Sequence, residues 1–447
     1  MPGIAGIDLP GKQAEVDMML DKIEHRGPAD RTIIEVGGAT LGIVSPESRV
    51  IPAEELEKER AVWDDAGDGH SARAEVTPNG LMLTRDELGV APLYHGSTED
   101  GVTCFASEVK ALLPLTQEVH EVPPGHRCDG ERITCYFSLK KQTPLDESPE
   151  RVAKDLRELL EASVEKRVGD AEVGSWLSGG LDSSAMAALA RKHMDELHTF
   201  AAGIPGAPDV EHAREVAEFI GSNHHEVIVT LDDMLAALPK VIYHLESFDA
   251  LLVRSSITNY LVAGLASEYV DEVFSGEGGD ELFAGYEYIK ALDPALLPDE
   301  LIDITNRLHN TALQRVDRSA SAHGTVAHVG ILDPDVVDYA LRIPVEYKLR
   351  DGVEKWIFRQ AMDGELPERV LNRKKAKFWE GAGVGEQLAG YANEHISDAD
   401  FARERTLPNG WTINTKEELM YYRIFREHFG ELEDLSWMGR TKGAPRQ

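Results

Sequence analysis

Two short glycine-rich runs carry the residues able to do chemistry. The first is Ser178-Gly179-Gly180-Leu181-Asp182-Ser183-Ser184, entered from an apolar approach (Val173, Trp176, Leu177) and followed by the alanine-rich stretch Ala185–Ala190. This reads as a strand, a glycine turn and a helix start. Adjacent glycines admit positive φ and let the backbone come close to a ligand. Backbone N–H groups and the helix dipole at such a junction favour phosphate or pyrophosphate. Asp182 is out of place in an anion site unless a divalent cation stands between it and the phosphates. The run also lacks the lysine that a P-loop places after its last glycine. The second run is Ser275-Gly276-Glu277-Gly278-Gly279-Asp280-Glu281-Leu282-Phe283-Ala284-Gly285-Tyr286, at the end of another apolar segment. There Asp280 is placed to share a divalent ion with Asp182, and Glu277 to act on a substrate carboxylate or amine. A merely solvated acidic loop is common in an acidic chain, but it does not account for acids alternating with glycines at a strand end.

The elements that must position these runs follow from periodicity. Up to about residue 140 the chain reads as short strands, at Ile4–Ile7, Thr32–Val36, Thr40–Val44, Leu81–Arg85, Val102–Ala106 and Arg132–Phe137, with one clear helix at Gln13–His25. That is an α+β domain, residues 1–141, with Gln142–Glu150 as a linker. From Ser148 the pattern changes. Helices at Val152–Val168, Val210–Ile220, Leu231–Phe248 and Ser255–Ser267 alternate with strands before Ser178 and at His198–Ile204, Glu226–Val229 and Glu272–Ser275. Strands alternating with helices imply an α/β domain on a parallel sheet, residues 142–447, turning mostly helical after Leu296. In such sheets the ligand crevice lies beyond the carboxyl ends of the strands, where both glycine runs fall.

Composition narrows the partners. Asp and Glu total 79 against 46 Lys and Arg, a net charge of −33, which argues against nucleic acid or an anionic membrane as partner. The acids are dispersed among apolar residues, as expected of a protein kept soluble in a salt-rich cytoplasm where screening removes self-repulsion. No apolar run approaches the ~18 residues of a membrane span. The three cysteines, Cys104, Cys128 and Cys135, have neither metal-ligand spacing nor the number for a disulfide framework.

The phosphate-type run resembles the pyrophosphate loop of N-type ATP pyrophosphatases, and with Ser275–Tyr286 it resembles the asparagine synthetase family. His25-Arg26-Gly27-Pro28, Thr84–Tyr94 and Phe105–Leu112 are similar to that family's glutaminase domain. Thr199–Gly203, Asn223–Glu226, Thr415–Glu418 and Tyr422-Arg423 are similar to its synthetase domain. The resemblance implies an Ntn-hydrolase glutaminase-like domain followed by an ATP pyrophosphatase domain that performs AMP-forming amide synthesis with ATP and Mg²⁺. It implies that Trp176, Leu177, Ala202, Ser275 and Gly276 lie along adenine and ribose, and that Ser178, Gly180, Asp182 and Ser184 hold pyrophosphate. By the same resemblance Asp182 and Asp280 bind Mg²⁺, Glu277 supports adenylate formation, and Lys375, after Arg373-Lys374, stands near the α-phosphate. Glu277, where the β-lactam-forming branch has Tyr, favours the asparagine-type branch.

Three departures qualify that resemblance. Pro2 stands where the family's glutaminase has its N-terminal cysteine, and proline has no nucleophile to form a thioester. The Asn-Gly-Glu run that binds glutamine is absent between Arg49 and Leu81, where the domain looks shortened, and the family's arginine after the second strand is replaced near Ser45. The signature Glu-Ala-Arg-Val-Pro-Phe-Leu-Asp is Val326-Ala327-His328-Val329-Gly330-Ile331-Leu332-Asp333 here; this loses a charge pair near the cleft, a change that is either structural only or reshapes the acceptor pocket and so bears on aspartate as the substrate. The leading expectation is an asparagine synthetase-like enzyme that uses free ammonia, with a separate ammonia donor and a homodimeric state as its open partners. The alternatives are a family ligase acting on another carboxylate and amine, or a non-catalytic member.

Overall fold

In the computed structural model the described residues are 1–65, 69–130, 132–169, 171–373 and 385–441. The first part of the chain is two antiparallel sheets. Its strands are β1 (Gly3–Ile7), β2 (Asp30–Val36), β3 (Ala39–Ser45), β4 (Ala61–Asp65), β5 (Ser71–Thr77), β6 (Gly80–Arg85), β7 (Tyr94–Ser97), β8 (Thr103–Ala106), β9 (Val119–Glu121), β10 (His126–Cys128) and β11 (Ile133–Cys135). One sheet runs β2-β3-β1-β8-β7-β9 and the other β11-β10-β6-β5-β4. Helices α1 (Gln13–Ile23), α2 (Ala53–Glu59) and α3 (Val109–Leu112) complete this part. The α1 stripe Val16, Met19, Leu20 and Ile23 is buried, as its 3.6-residue spacing requires.

The expected strands form, and β4, β5, β7, β9 and β10 are additional. β5 alternates buried Ala72, Ala74 and Val76 with half-exposed Ser, Arg and Glu. Alanines give a weak strand signal in sequence, and the hairpin with β6 supplies what propensity does not. Between Arg49 and Leu81 the described residues form helix α2 and strands β4 and β5.

The change of architecture falls between Cys135 and Pro149. Helix α4 (Pro149–Glu165) starts on a Ser148 side-chain cap. Then come β12 (Val173–Trp176), α5 (Leu181–Lys192), β13 (His198–Gly203), α6 (Pro208–Ile220), β14 (Asn223–Ile228), α7 (Leu231–Leu245), α8 (Ala250–Ala266) and β15 (Glu272–Phe274). Short helices α9 (Gly279–Leu282) and α10 (Leu297–Asn306) lead to α11 (Ala312–Ser321) and β16 (Val326–His328). The sheet order is β14-β13-β12-β15-β16, every pair parallel. Strand order reverses between β12 and β15, so the loops leaving these two neighbours open the crevice at the switch point. Those loops are the two glycine runs.

Helix α5 lies on this sheet through small residues: Ala185, Met186, Ala187, Leu189 and Ala190 are all fully buried. No described helix is long and apolar enough to cross a membrane.

Candidate active site

The phosphate-type loop is pre-formed by its own hydroxyls. Ser178 N donates to Ser183 Oγ at 3.2 Å, the two serine hydroxyls are 2.9 Å apart, and Gly180 N donates to Ser178 Oγ at 3.3 Å. Gly179 has φ of +69°, and a Cβ there would meet Ala213 N and His212 Cβ at 2.6 Å and Asp209 O at 2.7 Å. Only glycine lets the turn pack this closely on α6.

The second run approaches the first backbone to backbone. A Cβ on Gly276 would lie 2.4 Å from Ser183 N, and one on Gly279 would lie 2.5 Å from the Asp182 carboxylate. A Cβ on Gly285 would fall 2.0 Å from Asp280 Oδ1 and 2.2 Å from Lys355 Cε. These glycines are thus the room in which Asp182, Asp280 and Lys355 sit. Gly278, with φ of +97°, turns the chain over Leu332.

A single cleft is lined by Trp176, Leu177, Ser178, Gly180, Asp182, Ser183, Ala202, Ser275, Gly276, Glu277 and Asp280. It brings together all but three of the residues picked out from the sequence. Gly179 turns toward α6. Ser184, expected on pyrophosphate, is fully buried and does not line the cleft. Its position one turn into α5 carries it beneath the loop. Lys375 lies outside the described residues.

Between the two aspartates stands a residue that sequence reasoning missed. Lys355 Nζ is 2.5 Å from Asp182 Oδ2 and 2.7 Å from Asp280 Oδ1, and its side chain is only 3% exposed. Lys355 is left-handed, with φ of 54°, a conformation uncommon for a non-glycine residue. The two acids are therefore brought together as expected, with an ammonium bridging them. The same pair of hard carboxylate oxygens also fits a divalent cation completed by phosphate oxygens. Glu277 is paired with Arg315 of α11 across the cleft.

The cleft also takes in Asp209, Glu354, Arg359 and Arg373, so five carboxylates face four cationic side chains. In a chain of net charge −33 this near balance makes the cleft the place where a polyanion can settle. Arg373 donates to the Gly179 carbonyl at 3.1 Å and pairs with Asp209, which puts a guanidinium at the rim of the phosphate-type loop. Arg359 donates to the Arg373 carbonyl at 3.1 Å and holds that residue in place. Charge-assisted bonds to phosphate contribute ~1.5–3 kcal/mol. Arg373→Ala is therefore expected to raise the KM for ATP by about tenfold or more, and an unchanged KM would remove Arg373 from the site.

Of the two outcomes open for the altered signature, the fold favours the structural one. None of Val326–Asp333 lines the cleft; Val326–His328 is the edge strand β16, fully buried. His328 Nε2 is 2.7 Å from Glu272 Oε2. Arg49, from the first part of the chain, grips both Glu272 oxygens at 2.9 Å. Burial alone would raise the Glu272 carboxyl, but His328 and Arg49 overrule it and hold it down at about 2. Glu272 is thus held both by His328 and, from the other domain, by an arginine 223 residues away.

Comparison with known proteins decides the family. The asparagine synthase family model matches residues 155–296 and 297–444, well over half of the chain. The chain belongs to the asparagine synthase family. A glutamine amidotransferase domain model matches residues 74–173. Asparagine synthetase [glutamine-hydrolyzing] 2 of Arabidopsis thaliana is 35% identical over 380 residues, covering 78% of this chain and 65% of that protein. Asparagine synthetase B [glutamine-hydrolyzing] of Escherichia coli (strain K12) is 35% identical over 378 residues, covering 78% and 67%. Asparagine synthetase [glutamine-hydrolyzing] of Sandersonia aurantiaca is 33% identical over 393 residues, covering 81% and 74%. The chain spans just under two thirds of the Arabidopsis relative. The family match covers both glycine runs and the helical segment that carries Lys355 and Arg373.

Proposed function

We propose that this member of the asparagine synthase family is an ATP-dependent, AMP-forming amide ligase. A carboxylate oxygen attacks the α-phosphate of ATP, giving an acyl-adenylate and pyrophosphate; an amine or ammonia then attacks the acyl carbon, giving the amide and AMP. The observation that carries the reading is Glu277 standing in the same cleft as the phosphate-type loop, Asp182, Asp280 and Lys355. In this reading Ser178, Gly180 and Ser183 present the polyphosphate with donors, Trp176, Leu177 and Ala202 flank the base, and Arg315 and Glu277 offer opposite charges to an amino-acid substrate. Mg²⁺ held by Asp182 and Asp280 would offset phosphate charge. Lys375 is proposed as a second cation at the α-phosphate.

We read the nitrogen source as free ammonia. Pro2 carries no nucleophile and is buried, its carbonyl accepting from Arg26 at 3.1 Å. Asp64, on the strand where a glutamine-binding run would sit, is fully buried against Arg26 instead. Aspartate is the carboxylate expected first, since no residue of the altered Val326–Asp333 segment lines the cleft itself.

The test is ATP–pyrophosphate exchange over a panel of amino acids and other carboxylates, run in concentrated salt because the acidic surface is read as salt-adapted. Aspartate should support exchange, and ammonium should convert it to the amide with release of AMP. Glu277→Ala should abolish exchange. Exchange with another carboxylate but not aspartate would change the substrate and leave the chemistry; exchange with none would overturn the ligase reading. Glutamine hydrolysis should be absent, and Pro2→Cys alone should not create it.

A further inference from the structure

A buried ionic cluster joins the two domains at a helix of the cleft. Arg26, fully buried after α1, grips both oxygens of Asp317, at 2.8 and 2.9 Å, and also Glu108 at 2.9 Å and Asp64 at 3.3 Å. Arg318, next along α11, is 2.9 Å from Glu108 and 3.2 Å from Glu246. Lys110 pairs with Glu108 and, at 3.3 Å, with Glu246. Asp317 follows Arg315 by two residues, which is roughly 200° around a helix. Helix α11 thus presents Asp317 to the first domain on the side opposite Arg315, which enters the cleft against Glu277, while Arg318 lies between them on the way round and still reaches Glu108.

Among the described residues, none from 1–141 lines the cleft. If that domain acts on the reaction at all, it acts through an element that touches both, and α11 does. We infer that the first domain serves as a brace: Arg26 is a positioning residue that, through Asp317, fixes α11 and so the placement of Arg315 beside Glu277. Arginine suits the task because its planar fork can take both oxygens of Asp317 while a third contact goes to Glu108, which lysine cannot match. A misplacement of about 1 Å at a reacting centre can cost 10²-fold in rate, so a small tilt of α11 has a large effect. The inference rests on the ligase reading above, with Arg315 and Glu277 at the acyl-accepting end of the cleft.

The test compares Arg26→Lys and Arg26→Gln with Leu41→Ala, a fully buried aliphatic of the same domain whose truncation weakens its core without touching an ion pair. Stability of each is measured by urea unfolding, and kinetics by carboxylate-dependent pyrophosphate exchange. Arg26→Lys should lower kcat by about tenfold or more and raise the KM for the carboxylate, with the KM for ATP unchanged because β12 and α5 hold that subsite. Arg26→Gln should be worse. Leu41→Ala, while folded, should leave both KM values unchanged. Should Arg26→Gln fail to fold, Arg26→Lys alone decides. Wild-type kinetics in a folded Arg26→Lys, or an equal KM shift in Leu41→Ala, would overturn the brace. Absence of exchange in the wild type would instead overturn the ligase reading.

Discussion

Lys355→Ala should lose pyrophosphate exchange by roughly 10²–10³-fold while the protein remains folded, the size of effect seen when one preorganised transition-state donor is removed. The reason is visible in the cleft. Lys355 is the one described side chain seen to touch both Asp182, at 2.5 Å, and Asp280, at 2.7 Å. Without it Asp182 and Asp280 lose the ammonium that they share. A polyphosphate arriving there would meet negative charge with no local cation among the described lining nearer than Arg315, Arg359 and Arg373. Asp182→Ala should be as severe for the opposite reason, since it removes a carboxylate that both Lys355 and a divalent ion would use. The measurement is exchange at saturating ATP across a Mg²⁺ series. If added Mg²⁺ restores Lys355→Ala to wild-type rate, Lys355 is only a placeholder for the metal; exchange persisting in Asp182→Ala would show that the site has been assigned wrongly.

The second large effect is on stability. Arg318→Ala should cost about 3–5 kcal/mol, the range for removing one partner of a buried ion pair. Arg318 is 1% exposed and its guanidinium answers Glu108 and Glu246, which are equally buried. Desolvation opposes the charge on Arg318, yet those carboxylates and Asp317 hold its pKa above the ordinary arginine value. Removing it leaves carboxylates with less compensation than burial demands. Against a total stability of about 5–15 kcal/mol that loss is a large fraction. Urea unfolding at fixed salt should show a clear drop in midpoint, with both domains affected because the cluster spans them. A change below about 1 kcal/mol would mean that water enters the interface and the cluster is not dry.

The placement of the two glycine runs was readable because it is local. Ser178–Ser184 and Ser275–Asp280 each carry their turn glycines, their hydroxyls and their acids within a few positions, and the alternating strand and helix pattern says that both leave the carboxyl ends of sheet strands. What could not be read was which distant residues answer them. Lys355 sits 173 positions from Asp182 in the unremarkable run Val353-Glu354-Lys355-Trp356, with no periodicity to mark it. Arg315 looks like any arginine on an amphipathic helix until α11 turns it to Glu277. The choice between the two outcomes open for Val326–Asp333 was out of reach for the same reason. Two lost charges in a signature left a structural change and a reshaped pocket equally open; the strand is at the sheet edge, where His328 and Arg49, from the other domain, both reach Glu272.

Taken alone, then, the sequence determined the two kinds of domain, the phosphate-type loop and the carboxylates that face it, because short-range spacing and backbone propensity are properties of neighbouring residues. Only the tertiary structure decided that an ammonium bridges the two aspartates, that Arg315 holds Glu277, and that the first domain is tied by buried charge to a helix of the cleft. Those are contacts between residues far apart in the chain. Their energy depends on burial and on distances of a few ångströms, and neither exists until the sheet has brought the segments together.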